Sequence, residues 1–299
     1  MDAPSLSAFV TAAELSSFSL AADKLRLTQP AISKRIANLE QQLQCRLFDR
    51  IGRKISLTDA GQTLLPRARN ILIEIEDTAR LLANRNDKIE GRLSLATSHH
   101  ISLHRLPRVL RQYSSNYPDV VLDLKFEQSE VAYEGVLNGS LELAVITLSP
   151  QPHPQICATT IWLDTLCYCS ATDHPLAQQA SLQLTDLTQH KAILPTPTTF
   201  TRQLVERRFD RQGQRLNVGM STNNLDTIRM MVSIGLGWSL LPQTLLDAQV
   251  QPLKLQVEQI QRPLGLIYHR DRTLSNAAQA FIKLLKQQAD SGALHPETG

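Results

Sequence analysis

The chain has 299 residues with 31 Lys or Arg and 28 Asp or Glu, so it exceeds the usual size of one hydrophobic core and carries a net charge of only +3. It contains no run of eighteen apolar residues and no N-terminal signal pattern, so neither a membrane span nor secretion is expected. Four cysteines are too few for a disulfide scaffold of this size, and the composition favours a cytoplasmic protein of two or three units.

Three short helices are predicted in the first forty residues. Apolar residues recur at helical spacing at positions 6, 9, 10 and 13, and again at 21, 22 and 25. A third helix follows a tight break, because Thr28 can cap it and a proline falls in its first turn. Its apolar positions 32, 36 and 39 face the core, which leaves Gln29, Ser33, Lys34 and Arg35 on the opposite face. This pattern is typical of a helix-turn-helix, whose second helix enters the major groove of DNA.

A small basic β-hairpin is predicted after these helices. Two alternating segments flank Gly52, and Arg50, Arg53 and Lys54 lie at or near the tip. The hairpin therefore reads as a basic wing beside the helix pair. The alternative is an ordinary amphipathic pair of helices with a solvated charged face, and the agreement of the break, the cap and the hairpin argues against it.

Positive charge is concentrated in this part of the chain. Residues 24–54 contain eight Lys or Arg and only two carboxylates. Such a local excess is the electrostatic footprint of a phosphate-binding surface, whereas the net charge of the whole chain says little about nucleic acid.

These segments resemble a known family. The ordered run Ala21–Glu40, followed by Leu47–Arg50 and Leu57–Gly61, is similar to the N-terminal signature of the LysR-type transcriptional regulators. The rest of the chain matches more loosely, in the right order and at the right length. The resemblance implies an α/β protein with an N-terminal winged helix-turn-helix, a long linker helix and a two-lobed α/β effector domain of the periplasmic-binding-protein type.

The resemblance also implies partners. Such regulators are usually homotetramers that bind double-stranded DNA and a small-molecule effector, and RNA polymerase is a further candidate partner. Two residues of the third helix, Gln29 and Ser33, are expected to reach base edges. The full set expected at the DNA lies on the third helix and the wing and comprises Thr28, Gln29, Pro30, Ser33, Lys34, Arg35, Arg50, Arg53 and Lys54.

A long helix is predicted from residue 59 to about residue 88. Positions 64, 68, 71, 75, 78 or 79, and 82 keep a spacing of three and four, which resembles a coiled-coil seam. A helix of about 43 Å is too long to stand free in a small domain, so we expect it to pack against its copy in a second subunit. Packing on its own domain is the alternative.

Strands and helices alternate in the remainder, which predicts a parallel sheet with right-handed crossovers. The predicted strands are 92–97, 120–126, 141–147, two short strands within 158–170, 191–194, 216–220, 238–241 and 263–269. The predicted helices are 102–116, 129–138, 199–212, 223–234 and 275–289.

Three domains are expected from this pattern and from the LysR resemblance. They are a winged helix-turn-helix domain (1–58), a dimerising linker helix (59–88) and an effector domain (91–299). Lobe I of the effector domain would comprise about 91–162 and 266–299, and lobe II about 163–265. Two such lobes, joined by two crossing strands, form a cleft that can hold a small ligand.

Four loops follow predicted strands, where ligands of open α/β sheets bind. The LysR resemblance implies that these loops line the effector pocket, through Ser98, His99, His100, Thr147, Thr196, Thr198, Thr222 and Asn223. They are rich in hydroxyl groups and poor in carboxylates, and free N–H groups of helices starting after Ser98, Thr198 and Thr222 would favour negative charge. A small anionic effector is therefore expected, although simple helix capping is the alternative role for each hydroxyl. If a histidine contacts the anion, its affinity should rise as pH falls through about 6.5.

No catalytic residue, metal site or cofactor is predicted. The pair His99-His100 has no cysteine or carboxylate at ligand spacing, and Gly235-Leu236-Gly237 does not match a dinucleotide fingerprint. Cys167 and Cys169 share one face of a predicted strand and are interpreted as buried thiols rather than a redox pair. The second hypothesis is an enzyme or solute-binding protein with an α/β cleft, against which the basic N-terminal surface and the lack of an export signal argue.

Overall fold

The computed structural model describes residues 1–51, 54–86 and 88–292, which form two compact units. The first unit contains the described residues up to Asn86, and the second contains those from Lys88 onward. None of the helices in these ranges is long and apolar enough to cross a membrane.

The first unit has the three helices, the hairpin and the long helix that the sequence predicts. Its elements are α1 (Ala3–Leu15), α2 (Phe18–Leu25), α3 (Gln29–Leu43), β1 (Phe48–Ile51), β2 (Lys54–Leu57) and α4 (Asp59–Ala83). Strands β1 and β2 pair antiparallel. The long helix was expected to reach about residue 88, but it ends at Ala83 and is followed by a 3-10 turn, Asn84–Asn86.

Local caps fix the helix-turn-helix. The Ser17 side chain accepts a hydrogen bond from the Leu20 N–H, and the Thr28 side chain accepts one from the Ala31 N–H, so each helix begins with a side-chain cap. Between them, Arg26 ends α2 in the left-handed region at a φ of 53°. Ile32, Ile36 and Leu39 of α3 are fully buried in the core of this unit.

The hairpin is held by side chains of the elements on either side. The Glu40 carboxylate accepts from the backbone N–H of Leu47 at 2.7 Å, which ties the end of α3 to the start of the hairpin. The Thr58 hydroxyl donates to the Arg46 carbonyl and accepts from the Gly61 N–H at the start of α4. A Cβ at Gly61 would lie 2.2 Å from the Leu47 carbonyl oxygen, so this close approach requires glycine.

The second unit alternates strands and helices. Its strands are β3 (Gly91–Thr97), β4 (Val120–Phe126), β5 (Leu143–Thr147), β6 (Ile156–Ala171), β7 (Ala192–Leu194), β8 (Val218–Ser221), β9 (Ser239–Pro242), β10 (Val250–Pro252) and β11 (Ile260–His269). Its helices are α5 (His99–His104), α6 (Pro107–Asn116), α7 (Ser129–Leu137), α8 (Leu184–Thr188), α9 (Phe200–Asp210), α10 (Leu225–Ser233) and α11 (Asn276–Gly292).

One curled sheet runs through the unit in the order β10-β6-β11-β5-β3-β4, and β9 also pairs with β6. Strands β3, β4 and β5 are parallel, whereas β11 runs antiparallel to both β5 and β6. A separate parallel pair is formed by β7 and β8. Strand β11 pairs with β5 in the first lobe, and β6 continues to β9 and β10 in the second, so β6 and β11 are the two crossing strands.

Several predicted elements differ from those observed. The two short strands expected in 158–170 are one strand of 16 residues, because β6 exchanges β11 for β9 and β10 as partners along its length. The helix expected at 102–116 is two helices, and Pro107 starts the second, where its missing N–H is tolerated. The return strand begins at Ile260, three residues earlier than expected, and α8 and β10 were not predicted.

Candidate functional sites

The first two turns of α3 form an exposed polar and basic surface. Gln29, Pro30 and Lys34 are exposed, and Ser33 and Arg35 are half-buried. The Gln29 amide donates to the Ser33 hydroxyl at 2.9 Å, so the two side chains expected to reach bases are adjacent. With the exposed cap Thr28, all six predicted residues of this helix lie at its N-terminal end, as reading of a major groove requires.

The wing is described only through its two strands. Arg50 pairs with Ile55 and Ile51 with Lys54 in the β1–β2 register. The predicted contact Arg53 and the neighbouring Gly52 lie outside the described residues, as do the side chains of Arg50 and Lys54. DNA contact by the wing therefore stays a prediction.

A cavity of about 320 Å³ lies between the two lobes of the second unit, a size that suits a small ligand. The ends of β3, β4 and β5 and the start of α7 form one wall. The end of β7, the first turns of α9 and α10, and one side chain of β11 form the other. Both walls thus lie beyond the carboxyl ends of parallel strands, where ligands of open α/β sheets bind.

Five of the eight residues predicted for the effector line this cavity: Ser98, His99, His100, Thr147 and Asn223. The remaining three, Thr196, Thr198 and Thr222, do not. Thr196 donates from its N–H and its hydroxyl to the Asn223 side-chain oxygen, at 2.9 and 3.0 Å, and Thr198 lies beside it. Thr196 and Thr198 therefore support the rim at Asn223, and the Thr222 hydroxyl accepts a hydrogen bond from the Asn224 N–H at 3.4 Å.

The helix starts also differ from those expected. The α9 cap is Thr199 rather than Thr198, and the α10 cap is Asn224 rather than Thr222. Ser98 precedes α5, but its side chain makes no capping bond. The alternative role considered for Ser98, that of a simple helix cap, is therefore not supported, because its side chain forms no capping hydrogen bond with α5.

The cavity wall contains charged residues that the sequence did not reveal. The expectation of few carboxylates is wrong, because Glu127, Glu130 and Asp226 line the cavity together with Arg262. Arg262 interrupts an apolar strand, and a charged residue in such a strand is a signal that it is buried and paired. Nothing in the sequence identifies its partner.

That partner is Asp164, on the other crossing strand. Asp164 and Arg262 face each other across the β6–β11 ladder, and their Oδ2 and Nη2 atoms are 2.5 Å apart. They are only 2% and 4% exposed, so the pair is buried where the lobes join. Arg105 of lobe I reaches Asp164 at 3.5 Å, and Arg262 also donates to the Thr201 hydroxyl of α9 at 3.4 Å. Among the described atoms, the Arg262 Nε has no hydrogen-bond partner.

His100 adjoins this ion pair, with its Nε2 atom 3.7 Å from the Asp164 Oδ2 atom. Burial lowers the pKa of His100 to about 4, and the positive charge of Arg262 acts in the same direction, while Asp164 opposes both. The imidazole is therefore neutral at pH 7. The expected rise of anion affinity near pH 6.5 cannot come from His100, whose protonation falls near pH 4.

Two hydrogen bonds bridge the lobes at the cavity. The backbone N–H of Phe200, the first residue of α9, donates to the Glu130 carboxylate at 2.6 Å. The Asn223 amide donates to the Gln128 side-chain oxygen at 2.9 Å. The Phe200 ring packs edge-on against Tyr133, with centroids 5.6 Å apart. The start of α9 thus touches α7 through both its backbone and its side chain.

Two cysteines of β6, Cys167 and Cys169, are poor nucleophiles. Burial raises the pKa of the Cys167 thiol and, more strongly, that of Cys169, which is fully buried. Both thiols are therefore protonated at pH 7. In the part of the chain that the structure describes, no group of three or more His, Cys, Asp or Glu side chains could hold a metal ion.

Comparison with protein-family models gives two matches that together span most of the chain. Residues 4–62 match the family described as bacterial regulatory helix-turn-helix protein, lysR family. Residues 86–290 match the LysR substrate binding domain. The first match covers the exposed surface of α3, and the second covers every residue that lines the cavity.

Individual proteins agree with these matches. A probable RuBisCO transcriptional regulator of Synechocystis is 31% identical over 94% of this chain and 85% of its own length. A full-length OxyR variant from Pseudomonas aeruginosa has a TM-score of 0.69 at 21% identity, covering 97% of this chain and 94% of that one. The effector binding domain of QuiR, solved in complex with shikimate, has a TM-score of 0.61 at 19% identity, covering 68% of this chain and 98% of that domain.

Proposed function

Because the chain belongs to the LysR family of DNA-binding transcriptional regulators, we propose that a small anionic effector, bound between its two lobes, modulates its binding to promoter DNA. Membership of this family excludes the alternative of an enzyme. The observation that carries the proposal is the cavity at the strand ends, whose walls come from both lobes and include the buried guanidinium of Arg262.

The proposed DNA interface consists of the start of α3 and the wing. Gln29 and Ser33 are assigned to base edges, because their side chains are adjacent on the outer face of the helix. Lys34, Arg35, Arg50, Arg53 and Lys54 are assigned to phosphates, which fix register and strengthen binding to every sequence. Thr28 and Pro30 shape the helix start that enters the groove.

We further propose a homotetramer built as a dimer of dimers in the bacterial cytoplasm, with RNA polymerase as a further partner. The support for the first interface is α4. Leu64 and Ala68, at the start of its apolar stripe, pack into the core of their own unit. Ile71, Ile75 and Leu82 remain exposed, which is the pattern of a helix that packs against its copy.

The preference for an anion follows from the charges at the cavity. Asp164 neutralises only one of the two guanidinium groups near it, Arg262 and Arg105, while neutral His100 adds no charge. These three groups therefore carry a net positive charge, of which Arg262 is buried in the cavity wall and Arg105 is half-buried beside Asp164. Because Arg262 is buried, its attraction for an anion is weakly screened. Ser98 and Thr147 supply hydroxyl groups beside it. Glu127, Glu130 and Asp226 oppose an anion, which restricts the favourable position to the side of Arg262.

The switch would operate through the angle between the lobes. Each wall of the cavity belongs mainly to one lobe, so a ligand that contacts both walls favours one lobe arrangement over others. Only such a differential affinity can shift the protein between states. A change of lobe angle in an assembled tetramer would alter the spacing of its DNA-binding heads and so the bend of the operator.

Thermal-shift screening of the full-length protein tests the anionic effector. The panel contains small carboxylates (shikimate among them), sulfate and phosphate, each carboxylate beside its uncharged amide. We expect at least one anion to raise the unfolding temperature at millimolar concentration while its neutral counterpart does not. Amides that stabilise the protein as well as the acids do would reject an anionic effector.

Calorimetric titration of the best anion then locates the site. Ser98→Ala should weaken binding by about fivefold, the value of one lost hydrogen bond of about 1 kcal/mol. The matched control is Ser115→Ala, because Ser115 is exposed on α6 and bonds only to the Arg111 carbonyl. Equal affinities of wild type and Ser98→Ala for the anion would reject the proposed position of the anion beside Ser98.

A further inference from the structure

Two groups that favour an anion, one in the cavity wall and one beside the lining residues Thr199 and Thr201, are engaged by carboxylates of the chain itself. Arg262 pairs with Asp164, and the Phe200 N–H donates to Glu130. The two pairs differ in the elements that they connect. Asp164 and Arg262 lie on adjacent crossing strands and face each other in the β6–β11 register. Glu130 belongs to α7 of lobe I and Phe200 to α9 of lobe II, so their contact exists only when α7 and α9 are close.

We propose that Glu130 is a tethered surrogate for a carboxylate effector, which holds α7 against α9 until a free carboxylate replaces it at the Phe200 N–H. The inference rests on the proposed function, since it places the recognised group of the effector in the same cavity. It adds the chemical class of that group, a carboxylate, and the contact through which its binding releases lobe II.

The Phe200 N–H is well placed to donate a hydrogen bond to a carboxylate. It opens a helix of eleven residues, and the first N–H groups of a helix have no partner within the helix. The capping side chain, Thr199, is already used, because its hydroxyl accepts from the Arg202 N–H. An anion at this position also interacts favourably with the helix dipole. Glu130 supplies that anion from the opposite lobe at 2.6 Å.

Arg262 independently indicates that the N-terminal end of α9 can bind a second negatively charged group. The guanidinium is 4% exposed, lines the cavity and bonds through Nη1 to Thr201, the residue that follows Phe200. Its Nε has no partner among the described residues, although buried N–H groups are nearly always paired. Glu130 and Arg262, both described, form no ion pair. A free carboxylate is not tied to α7, so it can approach both the Phe200 N–H and the guanidinium.

Exchange of the two carboxylates would change the lobe contacts without leaving the helix end unsatisfied. The free carboxylate replaces Glu130 at α9, and α7 loses its charged bond to lobe II. The Gln128–Asn223 bond and the contact between Tyr133 and Phe200 then remain as the links between these elements. Because the ligand competes with an interlobe contact, its binding must favour a different lobe angle, which is the requirement for a switch.

The test uses the full-length protein with sodium acetate as the minimal carboxylate and acetamide as its neutral counterpart, at constant ionic strength set by sodium chloride. Glu130→Ala removes the surrogate, and Glu130→Gln keeps a neutral acceptor in the same place. Glu127→Gln is the matched control, because Glu127 lines the same wall and its carboxylate bonds to no described residue. The readouts are the unfolding temperature and amide hydrogen exchange of peptides that contain Phe200.

In Glu130→Ala, exchange at Phe200 should be faster than in wild type, and acetate should slow it again. The acetate concentration at half effect should fall by about fivefold or more relative to wild type, as expected when a charged competitor is removed. Glu130→Gln should be intermediate. Glu127→Gln removes one negative charge from the same wall but no bond to Phe200, so it should lower the acetate midpoint much less than Glu130→Gln and leave Phe200 exchange without acetate unchanged. Acetamide should have little effect on any of them.

Two results would overturn the surrogate. The first is an equal increase in acetate affinity in Glu127→Gln and Glu130→Gln. That result would mean that acetate affinity depends only on the total negative charge of the cavity wall. The second is that acetate does not change hydrogen exchange at Phe200 in either Glu130 variant. If Glu130→Ala folds poorly, the measurement on Glu130→Gln alone decides this point. Larger anions that bind while acetate fails would reject only the surrogate. Acetate protection of Glu130→Ala without any response to the larger anions would reject only the proposed effector.

Discussion

The polar and basic side chains of α3 lie exposed on the first unit, whereas the second unit buries Asp164, Arg262 and His100 between its lobes. The first arrangement leaves hydrogen-bond donors accessible to DNA. The exposed apolar stripe of α4 likewise leaves an apolar surface accessible to a second copy of the chain. The second arrangement pairs Arg262 with Asp164 inside the protein and keeps the guanidinium in the wall of a cavity. The first unit thus offers its polar and basic groups at the surface, whereas in the proposed function the second unit responds to a small ligand through its interior.

The largest expected effect concerns the stripe of α4. Ile71 and Ile75 are 37% and 49% exposed, so aspartate at both positions should cost the monomer little but abolish its dimer and its binding to paired DNA sites. Light scattering and gel shift measure both effects. The double variant Gln62→Asp and Asn70→Asp adds the same charge to exposed polar positions of α4 and should stay assembled. A wild-type protein that is monomeric at micromolar concentration would contradict the interface.

The next largest effect concerns the buried ion pair. Asp164→Asn leaves the buried Arg262 charge without its partner, which should lower the free energy of unfolding by about 3–5 kcal/mol. The matched control is Asp123→Asn, whose partner Arg92 is 2.8 Å away but 70% exposed, and which should cost about 1 kcal/mol or less. Urea unfolding of the full chain compares them. A similar loss of unfolding free energy in Asp164→Asn and Asp123→Asn would contradict the prediction that the buried ion pair matters more for stability than the exposed one.

His100 adds a dependence on pH. Its pKa is about 4 in the folded protein, below the ordinary value of 6.5, so the unfolded chain takes up a proton first as the pH falls. Stability is thus lost between pH 6.5 and pH 4, and the contribution between pH 7 and pH 5 is about 2 kcal/mol. Urea unfolding should show this extra loss in wild type and not in His100→Gln. The same loss in both proteins would show that the imidazole is not kept neutral by burial.

The smallest effects are expected at single DNA contacts. Gln29→Ala should cost about 1 kcal/mol on the operator and little on unrelated DNA, because it removes a base contact. Lys34→Ala should weaken binding to both and reduce the salt slope by about one, because it removes a phosphate contact. Fluorescence anisotropy at several salt concentrations separates the two patterns. If Arg53→Ala changes neither affinity nor salt slope, Arg53 does not belong to a DNA-binding wing.

The first unit could be predicted from sequence because its determinants are local. Thr28 bonds to a residue three positions away, and the apolar positions of α3 repeat at helical spacing, so the pattern itself carries the structure. Even here a contact between elements was missed: Gly61 must be glycine because of the Leu47 carbonyl, and no spacing rule shows it.

The cavity could be predicted only in part, because some of its contacts join residues that are far apart in the sequence. The loops with Ser98 and Thr147 follow strands, and strand ends are visible in the sequence. Arg262 and Asp164 are 98 positions apart and meet only through the register of β6 and β11. Glu130 reaches Phe200 across 70 positions. Such partners are fixed by tertiary packing, so the sequence could suggest that Arg262 is paired but could not say with what.

In the proposed function, an anion bound between the lobes changes the bend that the protein imposes on its DNA. The direct measurement is energy transfer between the labelled ends of the promoter fragment next to the protein's own gene, bound by full-length protein and titrated with the best carboxylate of the panel. We expect a change in end-to-end distance whose midpoint equals the calorimetric Kd and moves to higher concentration in Ser98→Ala. Saturation of the cavity with no change in the DNA would contradict it.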